Sequence, residues 1–452
     1  MQQYSLTEGS ISKGIVLFAI PLFLGNLFQQ LYNMADSLIV GNFLGNSALA
    51  AVTSTGSLIF LLVGFFNGTA MGAGVVISRY FGAKDYDKVH RAIHMDLAFG
   101  IFAGILMTFI GVCFTPAILV WMKTPAEVLP QAVLYLRVYF LGSLAVILYN
   151  VCMGILQAVG DSRHPLYYLI FSSIVNIVLD LIFCGGFRLG VEFAALATVI
   201  SQMLSVILCL IRLIRTKDVY QVNVREIRFD WTLLKQIIHQ GLPSGMQNSI
   251  ISIANMVVQS NINAFGKMAM AGCGAYSKIE GFGFLPITCF AMAMTTFIGQ
   301  NLGAKEFERV KKGARFGILC GVGLAEGVGI AINLFIPQLI ALFDRTPEVI
   351  RFGVTQAKIV TLFYFLLSFS HVIAGIMRGA GKSVVPMLVM LISWCLIRIT
   401  YVTITIHFIP DIRVVFWAYP LTWSISSVIF MIYYKKADWI HYFDRQEEKQ
   451  CA

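Results

Sequence analysis

Long apolar segments recur along the whole chain, and their length restricts what it can fold into. A membrane-spanning α-helix needs about 20 apolar residues to cross roughly 30 Å of hydrocarbon. Only 12% of the 452 residues are charged, against roughly 25% in soluble domains. Polar residues separate twelve such segments. We predict spans at 14–42, 47–78, 92–114, 128–157, 164–187, 191–212, 236–263, 268–299, 314–337, 353–378, 385–408 and 414–435.

Lysine and arginine are distributed unevenly among the segments that join these spans. With the N-terminus placed inside, the cytoplasmic segments hold 23 of these residues and the outer segments hold 6. Because basic residues accumulate on the cytoplasmic side, we predict a multi-pass protein of the cell membrane with both termini in the cytoplasm. The same bias accounts for the net charge of +10, so this charge gives no reason to expect nucleic-acid binding.

The second half of the chain repeats the first. Residues 82–89 read GAKDYDKV and residues 303–310 read GAKEFERV, an offset of 221. The stretch GILQAVGDSRHP at 154–165 and the stretch GIMRGAGKSVVP at 375–386 share that offset. Since each half contains an even number of spans, both halves insert in the same orientation. They should therefore be related by a pseudo-two-fold axis along the membrane normal.

The fold class that follows is all-α integral membrane, with twelve transmembrane helices in two six-helix lobes. We predict an N-terminal lobe at 1–212, a cytoplasmic linker at 213–235 and a C-terminal lobe at 236–452 with a short cytoplasmic tail. Repeats of this kind are typical of secondary transporters, with a cavity at the seam near the midplane. The stretch GAGKS at 379–383 lacks the strand and the spacing of a nucleotide-binding loop. Transport would therefore use an ion gradient. The seven histidines are scattered and no loop is large enough for a membrane-embedded enzyme, so no enzyme is expected.

Acidic groups inside a membrane are costly and are usually functional. At 1.5 Å of rise per residue, Asp36, Asp180 and Thr198 each lie about 10 Å below the outer surface. Asn176 lies one helical turn deeper, on the same face as Asp180. These oxygen-bearing groups would make a site for a hard cation such as Na⁺. Without a metal ion, the two carboxyl groups would hold a proton. The alternative is that Asp36 and Asp180 each cap or bond locally. We predict no other metal site.

Other polar residues within the spans are candidates for the substrate cavity. Glu280, near mid-depth in the eighth span, could attract a cationic substrate. It could instead pair with a basic residue of the second half: Lys278, Lys358 or Arg398. Neutral polar residues could line the cavity or bond across helices. They are Tyr32, Asn33, Asn150, Asn255, Gln259 and Asn263.

Pro21 lies about 15 residues before Asp36 in the first span. A proline inside a helix removes a backbone hydrogen bond and permits a kink. A helix that is either straight or bent at this hinge could convert ion occupancy at Asp36 into a change of cavity shape. The alternative is that Pro21 only sets how the helix passes into the bilayer.

The stretch QQLYNMADSLIVG at 29–41, together with GAKDYDKV and GILQAVGDSRHP, resembles the multidrug and toxic compound extrusion (MATE) family of antiporters over the whole chain. The resemblance implies two six-helix lobes and the export of amphipathic, often cationic, organic compounds in exchange for Na⁺ or H⁺. In one branch of the family, the first lobe binds the cation with an aspartate of helix one, an asparagine and an aspartate of helix five, and a threonine of helix six. The matching residues here are Asp36, Asn176, Asp180 and Thr198.

The resemblance bears on several other positions. The branch's helix-one proline matches Pro21, and its helix-four tyrosine matches Tyr135, which joins the cavity candidates. Another branch has an aspartate in helix ten, where this chain has only His371. The resemblance therefore does not imply an ion site of that type in the second lobe. The alternative function is a flippase of a lipid-linked precursor, which many basic cavity residues would favour. We expect a monomer that contacts lipids and small organic substrates and has no cofactor besides its coupling ion.

Overall fold

The computed structural model describes residues 5–122, 124–443 and 445, and the regular elements in these residues are all helical. The helices group into twelve long passes in chain order. The first six passes are α1 (Ile11–Leu44), α2 (Asn46–Gly82), α3 (Tyr86–Trp121), α4 with α5 (Leu129–Leu141 and Ser143–Ala158), α6 with a π-helical turn (Arg163–Asp180 and Leu181–Gly186), and α7 (Val191–Arg215).

The second six passes follow a segment that contains one short 3-10 turn, Val224–Glu226. The second six passes are α8 (Trp231–Asn263), α9 (Lys267–Gly303), α10 (Phe307–Ala341), α11 and α12 joined by a 3-10 turn (Pro347–Val360, Thr361–Phe363 and Tyr364–Gly379), α13 and α14 joined by a π-helical turn (Val384–Met390, Leu391–Ile397 and Arg398–Phe408), and α15 (Ile412–Lys436).

Within the described residues, nine helices are long and apolar enough to cross a membrane, and the pair α4 and α5, bent by 47°, makes a tenth.

The two halves repeat the same backbone turns. Lys84 and Lys305, each in the turn between the second and third passes of its half, have φ of 57° and 59°. A left-handed conformation costs a residue with a side chain about 1–2 kcal/mol, so the same strain at equivalent positions is structural evidence of duplication. Two glycine pairs at the same offset of 221 also have positive φ: Gly45 with Gly266, and Gly160 with Gly381.

Internal contacts divide the chain into two compact units. The first unit consists mainly of Ile20–Gly245, and the second consists of Leu6–Ala19 with the described part of Met246–Ala452. The helices α1 and α8 therefore each begin in one unit and continue in the other. In both helices the change of unit falls within two residues of a proline, Pro21 or Pro243. The domain limits predicted from the sequence stay a prediction.

Buried apolar clusters in the first unit bring together the helices that carry the predicted cation ligands. Tyr32 of α1, Leu169 of α6 and Val206 of α7 belong to one cluster. Tyr135 of α4 and Ala194 of α7 belong to another, which also includes residues of α1 and of the π-helical turn after α6. Burial of these side chains fixes the faces that α1, α4, α6 and α7 turn toward one another.

The predicted topology can be tested with single cysteines at exposed positions. In a background without reagent-accessible cysteines such as Cys113, cysteines replacing Lys88 and Lys311 should react with a membrane-impermeant maleimide only from the cytoplasm. Cysteines replacing Glu127 and Arg345 should react only from outside, because the basic segments stay inside. Reaction of Lys88→Cys and Lys311→Cys from opposite sides would contradict the parallel repeat.

Candidate cation-binding site

Two aspartates on different helices are buried in the first unit. Asp36 lies in the second half of α1, and Asp180 is the last residue of α6; their exposed fractions are 9% and 0%. Asn176, one turn before Asp180, is 1% exposed. The π-helical turn Leu181–Gly186 begins directly after Asp180. Such turns are rare inside helices, and those that occur often lie at functional sites. The end of α6 is therefore a candidate functional position.

The carboxyl groups of Asp36 and Asp180, hereafter the aspartate pair, are close enough to interact electrostatically. In the part of the chain that the structure describes, the Asp180 oxygens have no hydrogen-bond partner, and neither polar atom of the Asn176 side chain has one. Buried polar groups are nearly always satisfied, and adjacent carboxylates repel each other. The aspartate pair therefore requires a proton or a cation, which supports the predicted cation site.

Two buried tyrosines flank the aspartate pair. The hydroxyl groups of Tyr32 on α1 and Tyr135 on α4 interact electrostatically with both carboxyl groups of the pair. The amide nitrogen of Gln202 on α7 donates to the Tyr32 hydroxyl oxygen at 3.5 Å. Gln202, which is 6% exposed, was not predicted from the sequence. Gln202 lies four residues after Thr198, on the same face of α7. This spacing could have predicted it as a residue of the site.

Thr198 is half-buried on α7, and its hydroxyl donates to the backbone oxygen of Ala194 at 3.2 Å. That acceptor lies one turn earlier in the same helix. A hydroxyl that donates in this way still has lone pairs to offer a cation. The role of Thr198 as a further ligand therefore stays a prediction.

Four of the predicted cavity residues bond within their own helices or lie exposed. The Asn150 amide donates to the backbone oxygen of Val146 at 2.9 Å. The Gln259 amide donates to the Asn263 side-chain oxygen at 2.8 Å. Asn33 is exposed on α1. Since a local bond does not prevent a side chain from also meeting a substrate, the cavity roles of these residues stay predictions.

A buried arginine lies in the second unit. Arg398 is 2% exposed, and its Nη2 and Nη1 atoms donate to Thr422 Oγ1 at 3.0 Å and to Asn255 Oδ1 at 3.4 Å. The guanidinium carbon lies 4.6 Å from the centroid of the Tyr419 ring and 5.6 Å from that of Trp394. Hydrogen bonds and cation–π contacts together stabilise the buried charge. Asn255, a predicted cavity residue, is thus a partner of Arg398.

Glu280 belongs to the same polar group of the second unit. Its Oε1 atom accepts a hydrogen bond from the Tyr276 hydroxyl at 3.4 Å, and that hydroxyl lies 3.2 Å from the hydroxyl of Tyr364. Arg398 interacts electrostatically with Glu280, which agrees with one of the pairings that the sequence left open. Attraction of a cationic substrate by Glu280 stays a prediction.

Two segments of the chain, 21–182 and 243–404, match the sequence model of the MatE family. The segments have equal length and are offset by 222, as expected for the duplication. The chain therefore belongs to the MatE family, which is a family of multidrug efflux transporters embedded in membranes. The predicted family and the predicted class of a transporter rather than an enzyme are confirmed.

Similar proteins cover nearly the whole chain. The probable multidrug resistance protein YoeA of Bacillus subtilis is 28% identical over 437 residues, which are 95% of this chain and 94% of that protein. The probable multidrug resistance protein NorM of Thermotoga maritima is 27% identical and covers 85% of this chain and 83% of its own. A crystal structure of a MATE in complex with MaL6 has a TM-score of 0.90 at 24% identity, covering 96% and 97% of the two chains. The predicted all-α fold of two six-helix lobes is confirmed.

The offsets of 221 and 222 that relate the two halves show what the second half carries at the positions of the predicted cation ligands. The residues are Val257 or Val258 for Asp36, Ile397 or Arg398 for Asn176, Tyr401 or Val402 for Asp180, and Tyr419 or Pro420 for Thr198. No carboxylate recurs at these four positions. At these positions, carboxyl groups therefore occur only in the first half of the duplicated fold.

Replacing Arg398 by alanine should destabilise the protein by about 2–4 kcal/mol, because a cavity forms and the hydrogen bonds to Thr422 and Asn255 are lost. The expected result is a clearly lower midpoint of thermal unfolding of the purified protein in detergent. Arg351→Ala, at an exposed arginine of the same unit, is the matched control and should leave the midpoint nearly unchanged. Equal midpoints for the two variants would contradict a stabilising role for Arg398.

Proposed function

We propose that this chain is a secondary active antiporter that exports amphipathic, cationic organic compounds in exchange for Na⁺ or H⁺. In this proposal the coupling ion binds at the aspartate pair, with Asn176 and Thr198 as further ligands. The observation that carries the proposal is a buried pair of carboxyl groups beside an amide that has no partner among the described residues. Two negative charges in a low-dielectric site need a counter-charge, and either Na⁺ or H⁺ supplies it.

An ion at this site can drive transport only if it binds one conformation more tightly than the other. The aspartate pair joins α1 to α6, so its state of charge bears directly on how closely these two helices can approach. With the ion bound, the carboxyl groups can stay together; without it, they repel each other. The ion gradient would in this way bias the two conformations between which substrate is moved.

The names of similar proteins support small organic molecules as the exported substrate. YoeA is named a probable multidrug resistance protein, and MepA of Staphylococcus saprophyticus, 24% identical over 382 residues, is named a multidrug export protein. The alternative of a lipid-linked precursor flippase is not favoured by these names. The buried Arg398 guanidinium also has partners within its own unit, so it gives no support to a free basic site for a pyrophosphate.

The direct test is transport in proteoliposomes under one imposed gradient at a time. A fluorescent amphipathic cation such as ethidium should move against the direction of an imposed Na⁺ or H⁺ gradient, and an ionophore that dissipates that gradient should stop the movement. The gradient that drives transport identifies the coupling ion. Liposomes with Asp180→Asn protein serve as the control. Movement of ethidium that is the same with and without either gradient would overturn the proposal.

A further inference from the structure

Two histidines and a glutamate meet at the start of α3. His90 and His94 are four residues apart on this helix, and their ring centroids are 4.1 Å apart. Glu226 belongs to the 3-10 turn Val224–Glu226, in the segment that joins α7 to α8, and its Oε2 atom lies 3.5 Å from His90 Nδ1. One ligand atom from each of the three residues lies within 4.8 Å of the other two. All three residues belong to the first unit.

We propose that His90, His94 and Glu226 form a binding site for Zn²⁺ or a chemically similar divalent metal ion. Two imidazole nitrogens and one carboxylate oxygen, with water in the fourth position, are a ligand set that Zn²⁺ uses in proteins. Bonds of about 2.1 Å in tetrahedral geometry place ligand atoms roughly 3.4 Å apart. Small side-chain rotations would therefore close the site around an ion. Imidazole ligands favour zinc, cobalt, nickel or copper over Mg²⁺ and Ca²⁺.

The hydrogen bonds of His94 already orient its ring as in a metal ligand. Its Nδ1 atom lies 2.7 Å from the backbone oxygen of His90, and donation to that oxygen leaves the Nε2 lone pair available. Metal-bound histidines usually donate their other ring N–H to such an acceptor. In the structure, Nε2 accepts the backbone N–H of Asn223 at 3.0 Å and also lies 3.1 Å from the Asn223 backbone oxygen. A metal ion would take the place of the Asn223 backbone at this nitrogen.

The carboxylate of Glu226 is also held in position. Its Oε1 atom accepts a hydrogen bond from the Asn223 side-chain amide at 2.7 Å, which leaves Oε2 directed toward His90. The side chains of His90 and Glu226 are 34% and 52% exposed, so an ion can reach the site from solvent. Asp87, one turn before His90, interacts electrostatically with it and adds a negative charge that attracts a cation.

Occupancy would have a structural consequence. Two ligands lie on α3, and the third lies five residues before the start of α8 at Trp231. A bound ion would cross-link the segment before α8 to α3 and would release the Asn223 N–H from His94. A neighbouring ion pair between Arg91 and Asp230 joins the same two segments. The ion would therefore tighten the attachment of this segment to the first unit.

The test measures metal binding to the purified full-length chain, without any transport assay. After treatment with a chelator, the protein should bind one equivalent of Zn²⁺ in competition with a fluorescent indicator, and Co²⁺ should give the visible absorption of a tetrahedral complex. His90→Ala and Glu226→Gln should each weaken Zn²⁺ binding at least about tenfold, since loss of even an outer-shell partner costs 10–100-fold. His239→Ala, at an exposed histidine of the same unit, is the matched control and should bind as the parent does.

Folding has to be separated from binding, because His94→Ala would also remove the bond to Asn223. The decisive variants are therefore His90→Ala and Glu226→Gln, whose thermal unfolding without metal should match that of the parent. The native cysteines are the same in all variants, so any zinc that they bind cancels in the comparison. Absence of a tight Zn²⁺ equivalent in the parent, or its persistence in both decisive variants, would overturn the proposal. Neither outcome would bear on the proposed antiport, since no transport is measured.

Discussion

Replacing Asp180 or Asp36 by asparagine should abolish gradient-driven export while the protein still reaches the membrane. Asparagine has nearly the size of aspartate, so packing is kept, but the pair can then carry only one negative charge. The coupling ion loses one of its two anionic ligands, so its gradient biases the two conformations much less. We expect the export rate under an imposed gradient to fall at least about tenfold, which corresponds to about 1.4 kcal/mol. The measurement is ethidium transport in proteoliposomes with matched amounts of protein.

The control for this prediction is Glu127→Gln, which neutralises an exposed carboxylate of the same unit and should leave export unchanged. Surface labelling and gel filtration of each variant would show that it is inserted and folded. Export at the parental rate by Asp180→Asn would remove this residue from the coupling mechanism. Loss of export with loss of the folded protein would instead assign it a structural role.

Replacing Gly72 by alanine should disrupt the packing of α2 against the first part of α8. A methyl group at Gly72 would overlap the backbone of Gly241, and one at Gly68 would overlap the backbone of Gly245. In the reverse direction, a methyl group at Gly241 would lie 2.7 Å from the Thr69 backbone oxygen. Each helix thus presents two glycines four residues apart, the spacing that lets membrane helices approach closely.

The expected cost of Gly72→Ala or Gly241→Ala is more than about 3 kcal/mol, because the obstructing atoms belong to the backbone and cannot rotate away. We expect a lower yield of folded protein, a lower midpoint of thermal unfolding and little export. Gly74→Ala is the matched control on α2, since its methyl group would meet its nearest neighbour at an ordinary 3.7 Å. If Gly72→Ala and Gly74→Ala unfold at the same temperature, the crossing does not depend on glycine.

Polar residues inside apolar segments predicted the aspartate pair, Asn176 and Tyr32, and the family resemblance added Tyr135, but neither predicted Gln202. Asp36, Asn176 and Asp180 could be found because charged and amide groups are rare in membrane helices, and because helical spacing places Asn176 and Asp180 on one face. Gln202 was not found, since its contact with Tyr32 depends on how α7 is rotated against α1. Thr422 and Asn255 could not be recognised as hydrogen-bond partners of Arg398, because α8 and α15 meet this residue only through tertiary packing.

The sequence by itself determined the all-helical membrane fold, the duplication and the family, because these depend on hydropathy and on repeated local turns that each segment carries alone. Lys84 and Lys305 illustrate this, since the same short motif produces the same left-handed turn in both halves. The tertiary structure decided the approach of the two aspartates, the glycine contact between α2 and α8, and the meeting of His90 and His94 with Glu226. Each of these depends on the rotation and crossing of helices. Those are set by the packing of many side chains at once, and no local pattern in the sequence records them.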